Sequence, residues 1–227
     1  MSIYEIHRVM AEATKGISAE YLYDLHEKLM AEHCFHGDIL DCGAGQGFLT
    51  QRLLHGNRFK SVSAADIMAK PQHIAVDVSW VPCDLDAELP FQNETFDSIV
   101  CCEVISCIEN PRALAREWFR LLRPGGQVIF STPNNVSLRS LLSMLLKGYG
   151  VVFGPKFPYQ KTALVPWDLE QLMSEAGFNS LQLHFSNRGG IPKKPTFTWQ
   201  SISLGVLKGR WFSDHVFMVG KKTGESS

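Results

Sequence analysis

The chain has 227 residues, a length that suits one α/β domain with a sizeable core. Hydrophobic residues make up 45% and charged residues 20%, the balance of a folded globular protein rather than a disordered one. With a formal net charge of -1 it lacks the excess of cations by which nucleic-acid binders meet a phosphate backbone, and no nucleic acid is expected as a partner.

Residues 1–36 read as a helical cap, with Ile3, Ile6, Met10 and Ala13 at helical spacing, then Tyr21, Leu25 and Leu29 after a possible cap at Ser18. DILDCGAGQG is a short apolar strand ending in a glycine turn. FLTQRLLHG follows as a helix closed by Gly56. SVSAAD is a second strand ending on Asp66, and a weaker third lies near VSWVP; the short stretch between them contains Pro71 and predicts a truncated helix. FDSIVCCEV is a fourth strand. NPRALAREWFRLLRPGG is a helix capped by Asn110, with Pro111 in its first turn, and QVIFSTP is a fifth strand. This alternation predicts a doubly wound, Rossmann-like, mostly parallel sheet covered on both faces.

After residue 133 the regularity loosens. SLRSLLSMLLKG is an amphipathic helix whose Leu138–Leu146 stripe is read as a face on the core; the sharper alternative is a lid that meets an apolar or membrane-borne substrate. VPWDLEQLMSEAGF is another helix ending at Gly177, and LQLHF and HVFMVG are late strands. Residues 186–212 stay unassigned. The expected organisation is one domain over 1–227: an N-terminal helical cap (1–36), a core (37–133), a helical insertion after strand five (134–165), and the rest of the sheet (166–227).

The opening residues lack the apolar core of a signal peptide, and no run reaches the roughly 18 apolar residues of a membrane span. A cytoplasmic chain without stable membrane insertion is expected. Six cysteines, several of them in apolar strand-like runs and with no C-x-x-C pair, read as reduced core thiols.

The most informative segment runs from Asp38 to Phe48. Glycines at 43, 45 and 47 between a strand and a helix let backbone approach a ligand, and the helix N-terminus favours an anion. Dinucleotide-binding loops place their third glycine where Phe48 stands here, so an amino-acid-like carboxylate is favoured over a pyrophosphate. Asp41 ends the strand beside the turn. Asp66, about 20 residues past the glycines, is placed to accept from ribose hydroxyls, Asp84 can accept from an adenine amine, and Glu103 ends strand four. In such sheets these strand ends converge. Each residue also has a plain structural reading: a tight turn for the glycines, a turn acid for Asp66, capping or solvation for Asp84 and Glu103.

DILDCGAGQG, Asp66, CDLDAELPF, TFDSIVCCEVI and LLRPGGQVIFSTPN, in this order over residues 37–135, resemble the class I methyltransferases, and are similar to small-molecule enzymes of the ubiquinone-biosynthesis type and relatives in bacterial glycan pathways. The resemblance implies S-adenosyl-L-methionine as cofactor. It implies contact with it by Asp41, Gly43, Ala44, Gly45, Gly47, Phe48, Asp66, Ile67, Asp84, Leu85 and Glu103, with Glu103 toward the acceptor. It implies methylation of O or N on a small-molecule or glycan-type acceptor, whose pocket is expected from residues 1–20 and 134–165. Ubiquinone-type relatives carry Glu-His past the strand-four acid; Ser106-Cys107 stands here, a poor site for a hard metal ion, and no metal is expected. No histidine presents itself as a base: His184 and His215 are read as packed or at a rim. Lys193, Lys194, Trp199 and Trp211 are read as solvated charge and ordinary packing, with acceptor binding as the alternative. The rival activities are a cofactor-binding protein that has lost catalysis, suggested by Ser106-Cys107, and a nicotinamide-dependent dehydrogenase, against which Phe48 and the lack of a Tyr-x-x-x-Lys pair speak.

Overall fold

The computed structural model describes residues 3–14, 16–192 and 194–224. Seven strands form one sheet in the order β3-β2-β1-β4-β5-β9-β6. The strands are β1 (Asp38–Cys42), β2 (Ser61–Asp66), β3 (Ser79–Pro82), β4 (Phe96–Cys102), β5 (Leu122–Pro133), β6 (Asn179–Phe185) and β9 (His215–Lys221). β1 to β5 run parallel; β9 inserts antiparallel between β5 and β6. A two-stranded ribbon, β7 (Gly190–Ile191) with β8 (Lys194–Thr198), lies in the stretch left unassigned above, followed by the short α7 (Trp199–Ile202).

The central strands read as unbroken apolar runs because both faces are covered. Leu40, Ile99, Cys101, Val128, Phe130 and Met218 join the core under α4 (Pro111–Leu121) and α6 (Pro166–Ala176). The alternate residues Ile39, Val100, Cys102, Ile129 and Phe217 join the core under α2 (Glu20–Glu32) and α3 (Phe48–His55). This period of two, with neither face wet, is the pattern of a doubly covered sheet. Trp118 is fully buried and donates its indole N–H to Cys42 Sγ at 3.4 Å. All six cysteines are unpaired, and four of them are buried.

Local signals act where expected at α4, whose Asn110 side chain accepts from Ala113 N–H, and at α6, which ends on Gly177 in the left-handed conformation. Several expectations are corrected. Ser18 does not cap α2: the cap position is Ala19, and the Ser18 N–H donates to the Tyr23 hydroxyl. No helix forms between β2 and β3 among the described residues; Ile74 and Val78 instead pack beside Ala64, and Lys70 Nζ donates to the carbonyls of Val76 and Val78. The turn Arg123–Gly126 lies within β5, because Leu122 already pairs with Phe96 across a bulge.

The largest correction concerns α5 (Leu138–Lys147). It was expected to turn its leucines to the core. Its buried residues are Ser140 and Ser143, while Leu138, Leu141, Leu142, Leu145 and Leu146 are exposed.

Candidate active site

The carboxyl ends of β1, β2 and β4 open onto a cavity of about 320 Å³. Chains ending side by side in a parallel sheet diverge into loops, and the crevice they leave is the usual ligand site. α1 (Ile3–Thr14) and the segment after it form one wall, and Tyr159, Gln160 and Lys161 form part of another.

On the β1 side, Gly43 and Gly45 have φ of 84° and 56°. A Cβ on Gly45 would lie 2.4 Å from the Gly16 carbonyl oxygen, which accepts from Gln46 N–H at 2.9 Å. A Cβ on Gly43 would strike Val104. The glycines therefore let the N-terminal segment and the β4 loop close down on the turn, as well as leaving backbone bare toward the cavity. Asp41 is buried and accepts from the Thr50 hydroxyl at 2.6 Å; burial pushes its pKa up to about 7.

Asp66 is locked by two backbone donors, Gly45 N–H on Oδ2 and Met68 N–H on Oδ1, both at 2.8 Å. Burial raises its pKa and these hydrogen bonds oppose the rise. Asp84 Oδ2 lies 2.8 Å from Nδ1 of His7, whose Nε2 lies 3.1 Å from Glu109 Oε1. Lys161 Nζ reaches the same Glu109 oxygen at 2.8 Å. Burial works against charge on His7, but the hydrogen bonds to Glu109 and Asp84 outweigh it and raise its pKa. A carboxylate on each nitrogen favours the imidazolium, and the contacts form a charge latch between α1 and the β3 loop. His7, Asp84 and Asp86 also lie close enough together to hold a metal ion.

On the β4 side, Glu103 sits in the left-handed region at φ 62°, its N–H donating to Ser131 Oγ. Oε2 lies 3.4 Å from Nε2 of His215, whose Nδ1 is 2.7 Å from the Tyr21 hydroxyl. Glu103 Oε1 is buried without a hydrogen-bond partner. Burial, then Glu103 and Asp214, raise the Tyr21 pKa, so Tyr21 keeps its proton and donates to Nδ1. With Nδ1 accepting from Tyr21, the ring nitrogen that can carry an N–H toward Glu103 is Nε2. Cys107 also lines the cavity, with its thiol pushed up to about 11 by burial and by Glu103, which makes it inert as a nucleophile.

Of the residues expected to meet a cofactor, the cavity brings together Asp41, Gly43, Ala44, Gly45, Asp66, Ile67, Asp84, Leu85 and Glu103. Gly47 and Phe48 stand apart from its lining: a Cβ on Gly47 would meet Ile74, and Phe48 stacks on His73. His7, Tyr159 and Lys161 fall within the two segments expected to build the acceptor pocket, although none was singled out there, and His215, read as packed or at a rim, lines the same cavity. His7 belongs to a helix read only for its apolar stripe, and its partners lie 77 and 102 residues away.

Residues 40–130 match the model of a family described as "Methyltransferase domain". The ubiquinone biosynthesis O-methyltransferase of Pseudomonas entomophila is 30% identical over 115 residues, 47% of this chain and 49% of that one. That of Chromobacterium violaceum is 28% identical over 149 residues, 61% of this chain and 63% of that one. Residues 40–130 thus carry a methyltransferase domain. It spans about half to just under two thirds of the length of these curated relatives. The fold agrees: a methyltransferase structure from Archaeoglobus fulgidus superposes with a TM-score of 0.61 at 16% identity, covering 88% of this chain and 94% of that one. A methyltransferase from Thermotoga maritima, described as a possible histamine N-methyltransferase, gives 0.61 at 20% identity, covering 89% and 91%.

Proposed function

We propose that this chain is a class I S-adenosylmethionine-dependent methyltransferase that transfers a methyl group to an oxygen or nitrogen of a small-molecule or glycan-type acceptor. The observation that carries the reading is a single cavity with an acid-bearing glycine loop on one wall and Glu103, with an unpartnered carboxylate oxygen, on another.

The residues present fit the cofactor. Asp66 is oriented by backbone donors yet keeps lone pairs for hydroxyls, and the bare backbone of Gly43 to Gly45 borders the same space. When bound, S-adenosylmethionine supplies a methyl group on a sulfonium, with a neutral leaving group. The chain's own task is then to position the acceptor and to take its proton where there is one. In this reading Glu103 Oε1 accepts that proton. His215 Nε2–H and, behind it, the Tyr21 hydroxyl hold the carboxylate in place. α1 and residues 159–161 wall the acceptor side and exclude water, and the His7 latch keeps α1 down. Six unpaired thiols support a cytoplasmic setting.

Calorimetry with S-adenosylhomocysteine tests the assignment. Wild type is expected to bind in the micromolar range, and Asp66→Ala to weaken binding at least about tenfold, the effect of losing charge-assisted hydrogen bonds. A folded wild type that does not bind overturns the reading. Binding without turnover over a broad panel of hydroxyl and amine acceptors would favour the non-catalytic alternative.

A further inference from the structure

Exposed apolar side chains are unevenly spread over this molecule. Among the described residues, 13 of the 19 large hydrophobics that are exposed fall in residues 134–167 and 186–213. The same two stretches hold nine of the chain's 22 Lys and Arg and none of its 23 Asp and Glu, leaving 13 cations against 23 acids elsewhere. A nearly neutral total thus hides one strongly basic, apolar region on an acidic body.

The fold joins the two stretches. The Asn134 amide donates to the carbonyls of Arg210 and Ser213 at 2.7 and 2.8 Å. Arg139 pairs at 2.9 Å with Asp214, the first acid beyond the second stretch. Both stretches also border the candidate active site. Tyr159 and Lys161 line it, and the Arg188 guanidinium stacks 4.5 Å over Tyr21, which holds His215.

α5 makes the case sharper. It is a completed helix, capped by Ser137 and closed by Gly148, yet it buries serines and exposes leucines, with Leu145 83% accessible. Leu204 and Val206 in the second stretch are also nearly bare. Lys147, Lys156, Lys194, Lys208 and Arg210 accompany them, exposed and with no carboxylate within 4.0 Å among the described residues. An apolar surface of this kind calls for a cover. A symmetric pairing with a second copy would set this basic surface against itself. An anionic bilayer satisfies both halves at once, taking leucines at the acyl boundary while lysines reach phosphates at headgroup level.

We propose that residues 134–167, 186–192 and 194–213 form a peripheral docking surface for an anionic lipid bilayer. Docking lays the α5 leucines and the 204–206 loop into the interface without spanning it. The inference does not depend on methyl transfer.

Vesicle sedimentation of the full chain tests it, comparing phosphatidylcholine alone with phosphatidylcholine carrying about 30% phosphatidylglycerol. Recovery on the anionic vesicles is expected to be about tenfold higher and to fall away in roughly 0.5 M salt. Leu145→Ser with Leu146→Ser, and separately Lys147→Ser with Lys208→Ser, should each weaken it about tenfold. S-adenosylhomocysteine binding by the same preparations should stay unchanged, which separates docking from the cofactor site. Equal recovery on neutral and anionic vesicles, or a wild type that stays in the supernatant, overturns the proposal. So does light scattering that shows a dimer which the leucine substitutions dissociate, because the surface then belongs to a second copy.

Discussion

In α4 the buried positions are Leu114, Ala115, Trp118 and Leu121; in α5 they are Ser140 and Ser143, and the leucines face outward. Both helices are amphipathic, and each carries a side-chain cap at its start. The first derives its stability from the core of its own chain, between the sheet and α6. The second leaves its apolar face without a partner in this chain. Periodicity says that a helix has an apolar face; it does not say whether the matching surface lies within the same molecule. The site shows the same contrast on a smaller scale. Asp66 has both oxygens satisfied by backbone near the glycine loop, whereas Glu103, facing the later segments, keeps one oxygen without a partner.

The contrast is broken most directly in α4. Trp118→Ala should cost about 3–5 kcal/mol, since a fully buried indole leaves a cavity between α4 and the sheet. Chemical denaturation measures it, and a loss below about 1 kcal/mol would mean that the sheet half is not the stable core described. Glu103→Gln comes next. It should leave S-adenosylhomocysteine affinity within about twofold while lowering turnover of a hydroxyl acceptor about a hundredfold, as for loss of a general base. Unchanged turnover would remove Glu103 from proton transfer.

The His7 latch has a smaller, pH-dependent effect. Its folded pKa is raised above 6.5, so its contribution is fully present at and below about pH 6 and is lost as the pH rises through that higher value. Wild type should therefore exceed His7→Ala by about 1 kcal/mol at pH 6, with the gap closing in alkaline solution. Melting temperatures across the range decide this, and a gap that widens with pH contradicts the imidazolium. The smallest effect is expected on α5: Leu145→Ser should change stability by less than about 0.5 kcal/mol, because that side chain is already in water. A loss near that of a core leucine would show that the α5 face is covered within the molecule.

Much of the first region was legible without coordinates. The strand runs of β1, β2, β4 and β5, the Asn110 and Gly177 helix ends, and the chain positions of Asp66, Asp84 and Glu103 follow from short-range rules, because backbone sterics, capping and two-sided burial act over a few residues. Parallel strands then carry their C-terminal residues to one edge, which is why acids far apart in sequence could be expected to meet.

Tertiary structure alone decided the rest. Nothing local tells His7 that Asp84 and Glu109 will sit on its two nitrogens, or brings Tyr21 and His215 to Glu103. These contacts form only when α1, α2 and β9 pack onto the sheet. The absence of a helix between β2 and β3 and the left-handed Glu103 are likewise products of packing. So is the outward face of α5, whose serine side met the protein and whose leucine side did not. The sequence by itself determined a doubly wound sheet with a glycine turn and acids at the strand ends; which side chains face one another across the cavity, and which face nothing, depended on long-range contacts that no local pattern encodes.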